Sequence, residues 1–83
     1  MLAKDKSRFI LALADSLDVY STTCSPQAAE MWFLVLQAQE IDAVIRAFHA
    51  HMRNPHFGRF APKPADIMRE IEDFLPEFMR GGV

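Results

Sequence analysis

The fold of this chain is decided by one irregular stretch, Asn54-Pro55-His56-Phe57-Gly58-Arg59-Phe60-Ala61-Pro62-Lys63-Pro64. Its prolines and its glycine disfavour a regular helix or strand, because proline fixes φ and lacks a backbone N–H. The residue before a proline is pushed out of helical geometry, so Asn54 is expected to end a preceding helix. Pro64 suits the first turn of a following helix. The stretch therefore predicts a Pro/Gly-rich loop between two helices.

Apolar residues recur at three- and four-residue steps on both sides of this loop, as they do on one face of a helix. Before it, a third helix is predicted to begin near Glu40 or Ile41, with a stripe of Ile41, Val44, Ile45, Phe48 and Met52. After it, a fourth helix is predicted from Pro64, with a stripe of Ile67, Ile71, Phe74, Leu75 and Phe78. Pro76 is expected to end or kink the fourth helix, and residues 77–83 are expected to fray.

Two further helices are predicted upstream. The first covers residues 4–19, with its apolar face formed by Phe9, Ile10, Leu13 and Leu17. Ser25 followed by Pro26 is typical of a helix start, and the second helix is predicted over residues 26–38. Residues 31–36 are all apolar, so this helix is expected either to be buried or to be partly an interface, for example in a homodimer.

The sequence shows neither a repeat nor strand alternation, which predicts an all-α fold. We expect one compact four-helix domain over residues 1–83, either an antiparallel bundle or an orthogonal arrangement. The central core is predicted to contain Phe9, Trp32, Phe48 and Ile71.

Composition favours a cytoplasmic protein. Hydrophobic residues make up 51% of the chain and charged residues 24%, which is ordinary for a globular domain. No apolar run approaches the roughly 18 residues of a membrane span, and the first residues lack the layout of a secretory signal. The single cysteine, Cys24, is expected to be a small linker residue in a reducing compartment.

No catalytic, cofactor-binding or metal-binding set is recognisable, so we expect a non-enzyme without a cofactor. His49 and His51 point about 200° apart on a helix and cannot share a metal ion. The histidines are expected to be surface or partly packed residues. The carboxylates Glu70, Glu72 and Asp73 are expected to form a solvated helix face.

The charge distribution leaves two interpretations of the loop. Net charge is −2, yet residues 43–65 contain no acid and carry Arg46, Arg53, Arg59 and Lys63. Phe57 and Phe60 would stack on bases if this basic segment bound nucleic acid. Alternatively both rings pack under the bundle while the cations stay in solvent. The small patch and the negative total charge make nucleic acid the weaker expectation.

The loop and the start of the fourth helix also carry a resemblance. Residues 54–67, together with the helix from Ser25-Pro26 through Met31-Trp32-Phe33, are similar to the helicase loader/inhibitor family of phages and prophages. The resemblance extends from about Phe9 to Ile71, and its most specific part is the run Phe60-Ala61-Pro62-Lys63-Pro64-Ala65-Asp66-Ile67. In that run, Phe60 is expected to anchor the loop to the bundle. Family members carry a helical domain followed by a flexible tail, and this sequence ends at Val83.

The resemblance implies a non-enzymatic adaptor in DNA replication that binds a DnaB-type replicative helicase. The expected contact surfaces are the loop and the acidic face of the fourth helix, with these partner-binding residues: Arg53, Phe57, Arg59, Phe60, Lys63 and Arg69. Two alternatives stay open. One is a small DNA-binding regulator that uses the basic segment, and the other is a phage host-takeover or anti-defence inhibitor.

Overall fold

A computed structural model describes residues 1–74, and these form four α-helices without a strand. The helices are α1 (Lys6–Val19), α2 (Pro26–Leu36), α3 (Ile41–Arg53) and α4 (Pro64–Asp73), and a short 3-10 turn, Ala3–Asp5, precedes α1. The predicted all-α, four-helix fold is confirmed. The expected fraying of residues 77–83, the apolar positions Leu75 and Phe78, and the effect of Pro76 fall outside the described residues.

The helix boundaries follow local signals in the sequence. Ser25 is the N-cap of α2, and its Oγ accepts a hydrogen bond from the Ala28 backbone N–H at 3.0 Å. Such a cap satisfies one of the unpaired N–H groups at a helix start. Ser21 has a left-handed φ of 57°, and the Thr22 N–H reaches back to the Leu17 carbonyl at 3.1 Å. This closing turn ends α1 and redirects the chain towards α2.

A core of aromatic and aliphatic side chains joins the helices. All four predicted core residues, Phe9, Trp32, Phe48 and Ile71, are buried. The Phe9 ring centroid lies 5.8 Å from that of Phe33 in an edge-to-face arrangement, and the Trp32 and Phe48 centroids are also 5.8 Å apart. Such pairs add to the stabilisation from area burial. α3 packs most extensively on α4, and α1 contacts both α2 and α3.

The second helix is buried on one side only. Ala29, Trp32, Phe33 and Leu36 face the core, whereas Met31, Leu34 and Val35 are each more than half exposed. Of the two alternatives for this helix, complete burial within the chain is therefore wrong for the outer face, and an interface on that face stays a prediction. Within the described part of the chain, no helix combines the length and apolar character that crossing a membrane requires.

One further expectation is corrected. Phe74 was placed on the apolar stripe of the fourth helix, but α4 ends at Asp73 and the Phe74 side chain is 53% exposed. Cys24 lies in the linker between α1 and α2, as expected, where it is half-buried and packs against the core.

Candidate functional site

Asn54 organises the loop that connects α3 and α4, residues 54–63. Its Oδ1 accepts hydrogen bonds from the backbone N–H groups of His56 at 2.9 Å and Phe57 at 3.0 Å. Its Nδ2 donates to the Glu70 carboxylate at 3.1 Å. Asparagine favours turns because its side chain mimics a backbone turn in this way. The Asn54 side chain thus stabilises the turn at the start of the loop and connects it to α4.

Glu70 is buried, which corrects the prediction of a solvated carboxylate. It is 6% exposed, whereas Glu72 and Asp73 are exposed as expected. A buried carboxylate is costly unless it is paired and hydrogen-bonded. Asn54 supplies the hydrogen bond, and the Arg69 guanidinium lies 3.8 Å away. The acidic face of α4 is therefore smaller than predicted, because Glu70 points inwards and holds the loop.

His51 is a second polar residue that holds the loop. It is fully buried, which corrects the prediction of a surface or partly packed histidine. Its Nε2 lies 2.8 Å from the Phe60 carbonyl oxygen. Since a carbonyl can only accept, Nε2 carries the proton. Nδ1 is buried without a hydrogen-bond partner among the described residues.

Tyr20 connects the end of α1 to the middle of the loop. Its hydroxyl donates a hydrogen bond to the Gly58 carbonyl at 2.7 Å. Burial raises the pKa of Tyr20 above its ordinary value. Gly58 has no room for a side chain, since a Cβ there would lie 2.4 Å from the His51 carbonyl oxygen and 2.5 Å from that of Asn54. The loop therefore lies directly on the C-terminal turn of α3.

Arg69 holds the Phe57 ring from α4. Its guanidinium carbon lies 3.8 Å from the ring centroid, a cation–π contact, and its Nη1 is 3.1 Å from the Asp66 carboxylate. Burial raises the pKa of Asp66, but the Lys63 backbone N–H and the Arg69 charge outweigh it and leave that pKa below its usual range. Arg69, one of the predicted partner-binding residues, thus contacts Phe57, Asp66 and Glu70 within the chain.

The remaining predicted partner-binding residues form what we call the loop surface: Arg53, Phe57, Arg59, Phe60 and Lys63. The Phe60 side chain is 70% exposed and that of Phe57 46% exposed. Phe60 therefore neither anchors the loop nor packs under the bundle, and its backbone carbonyl carries the attachment instead. Arg53, Arg59 and Lys63 are exposed and form no ion pair with any part of residues 1–74.

This arrangement suits binding. Contacts from α1, α3 and α4 fix the loop backbone. Two rings and three cations that have no ion-pair partner among residues 1–74 are therefore presented without the ordering cost of a free loop. Over residues 1–74, no three His, Cys, Asp or Glu side chains are grouped so that they could hold a metal ion.

Comparison of this chain with protein-family models, with curated proteins and with solved structures gave no match.

Proposed function

We propose that this protein is a non-catalytic adaptor that binds a protein partner through the loop surface. The observation that carries the proposal is Phe60. Its backbone is hydrogen-bonded to the buried His51, while its side chain is 70% exposed between Arg59 and Lys63, two cations without an ion pair in the described part of the chain. An exposed aromatic side chain on a hydrogen-bonded backbone, next to an arginine, resembles the large aromatic and arginine side chains that dominate binding energy at many interfaces.

Simple energetics support a protein contact. A phenylalanine buries roughly 150–250 Å², so covering the 70% of Phe60 that is exposed would contribute about 3–4 kcal/mol at ~25 cal/mol per Å², before the cost of association is subtracted. The surrounding positive charge would orient the protein on an acidic partner surface and would speed its association with that surface. The partner surface should therefore combine an apolar pocket with carboxylates.

The partner that we propose is a DnaB-type replicative helicase in a phage or prophage setting. This choice rests on the similarity of residues 54–67 to the helicase loader/inhibitor family. The adaptor would deliver the helicase to a replication origin and restrain it until delivery. Contact through a rigid loop requires no catalytic group in this chain.

The experiment that tests this proposal is calorimetric titration of the purified helicase with the full chain. Phe60→Ala and the double variant Arg59→Ala/Lys63→Ala should each weaken binding at least tenfold. Leu11→Ala and Arg46→Ala are matched controls, because these side chains are also exposed but lie on α1 and α3 outside the loop surface. The controls should bind like the wild type. No heat of binding for the wild-type chain would refute the helicase as partner, and equal affinities for all variants would refute the loop surface.

The same exposed ring supports a second candidate function, binding of single-stranded DNA. Phe60 would stack on a base while Arg59 and Lys63 contact phosphates. This function predicts that affinity for an oligonucleotide falls steeply and linearly with the logarithm of salt concentration. Binding of the helicase that persists at moderate salt, with no detectable oligonucleotide binding, would favour the adaptor.

A further inference from the structure

A groove lies on another part of the molecule, between α1 and the segment that leads into α2. Its volume is about 620 Å³, within the range of ~300–1,000 Å³ typical of ligand sites. The walls are mainly apolar and are formed by Ile10, Leu13, Ala14, Cys24, Pro26 and Ala29. A groove of this size and character can accept a large apolar side chain.

The groove is bordered by carboxylates. Asp15, Asp18 and Glu30 all line it. Glu30 is neutralised by Lys6, whose Nζ lies 2.6 Å from its Oε1. Asp15 and Asp18 are exposed, and neither forms an ion pair with another of residues 1–74. The groove thus presents apolar walls beside two negative charges that no cation of residues 1–74 neutralises.

The loop surface of the same chain has the complementary chemistry. It carries an exposed phenyl ring, Phe60, and the unpaired cations Arg59 and Lys63. We infer that the groove of one copy receives the loop of a second copy. The Phe60 ring of the second copy lies between the apolar walls of the groove, and Arg59 and Lys63 of the second copy lie beside Asp15 and Asp18 of the first. The occupant is therefore a second copy of this chain.

The contact joins two different surfaces, so it is heterologous. A pair joined in this way keeps a free loop on one copy and a free groove on the other, so further copies add until a ring closes, or the assembly extends as an open chain. The interface is small, so the contact is weak and depends on protein concentration. Salt weakens it, because exposed ion pairs are screened. The contact also covers Phe60, so it competes with any other partner of the loop surface.

The test is analytical ultracentrifugation of the purified chain over a range of concentrations, with no other protein present. The outcome is therefore independent of helicase binding. Wild-type protein should increase in average mass with concentration, and added salt should reverse the increase. The groove variant, Asp15→Lys/Asp18→Lys, and the loop variant, Arg59→Ala/Phe60→Ala/Lys63→Ala, should each remain monomeric. Circular dichroism verifies that both variants keep their helix content.

Mixing the two variants gives the decisive result. The groove variant retains a native loop and the loop variant retains a native groove, so the mixture should form a 1:1 dimer and nothing larger.

The control variant, Glu40→Lys/Glu72→Lys, alters two exposed carboxylates outside the groove and should associate like the wild type. A monomeric wild type, variants that still self-associate, or a mixture without dimer would each overturn the inference. Self-association that survives in both variants would point to the exposed apolar face of α2.

Discussion

Arg69 and Phe57 are stacked, with the guanidinium carbon 3.8 Å from the ring centroid. The same guanidinium is bonded to Asp66 at 3.1 Å and lies 3.8 Å from the buried Glu70 carboxylate. A single side chain of α4 therefore holds an aromatic ring of the loop and compensates a buried negative charge.

Replacing Arg69 should destabilise the fold. Arg69→Met keeps an apolar stem but removes the cation, which leaves the Glu70 carboxylate with only its hydrogen bond from Asn54. We expect a loss of about 1–3 kcal/mol in the free energy of unfolding, because a buried charge loses a partner. Urea unfolding measures this loss. Arg46→Met on the exposed side of α3 is the control and should change stability by less than about 0.5 kcal/mol. Equal unfolding midpoints for the two variants would contradict the role of Arg69.

Adding one methyl group at Gly58 should displace the loop. In Gly58→Ala the new Cβ would approach two backbone carbonyl oxygens to 2.4 and 2.5 Å, and backbone cannot move aside as a flexible side chain can. We expect a destabilisation of about 1–3 kcal/mol, as for other overpacked sites. Amide hydrogen exchange should accelerate at Gly58 and Phe60. Arg59→Ala, at the exposed neighbouring position, is the control and should unfold like the wild type. A similar loss of unfolding free energy in both variants would show that close packing at Gly58 is not the cause.

Acid should weaken the attachment of the loop to α4. The folded-state pKa of Asp66 is lowered, so its contribution to stability is complete above the unfolded-state pKa of about 3.9 and is lost as pH falls through the lower folded-state pKa. The difference in unfolding free energy between wild type and Asp66→Asn should therefore shrink in that acid range and stay constant at higher pH. A difference that does not change with pH would contradict this assignment.

Alkali should release the loop from α1. The folded-state pKa of Tyr20 is raised by burial, so its contribution is complete below the unfolded-state pKa of about 10 and is lost as pH rises through the folded-state value. Ionisation also removes the proton donated to the Gly58 carbonyl. The chain has one tyrosine, so tyrosinate absorbance reports this group alone. Over the same alkaline range, the free energy of unfolding of Tyr20→Phe should fall by less than that of the wild type. Equal decreases in the two proteins would refute the assignment to Tyr20.

Sequence periodicity was sufficient to predict the helices and most of the core residues. The stripe containing Val44 and Phe48 predicted α3, and Ser25-Pro26 predicted the start of α2, because caps and spacing act locally. The outer face of α2 was not predictable in the same way. Apolar residues all round a helix do not reveal which side lacks a neighbour.

The polar residues that hold the loop were missed for a physical reason. Periodicity places polar side chains in solvent, but His51 and Glu70 are buried because each finds a partner across the loop. Their spacing carried a signal, since His51 follows Phe48 by three positions and Glu70 follows Ile67 by three, which puts both beside an apolar stripe. The exposure of Phe60 depends on the path of the loop, which only these tertiary contacts determine.

The hydrogen bond from Tyr20 to Gly58 makes the conformation of the loop depend on the folding of the whole domain. It joins residues 38 positions apart, and the loop also needs His51 on α3 and Glu70 on α4. Such long-range contacts form only when the elements that carry them have assembled. A chain still emerging from the ribosome, or one partly opened by heat, therefore does not yet hold the loop in this conformation. Under the proposed function, a partner that binds the loop surface therefore recognises only folded molecules.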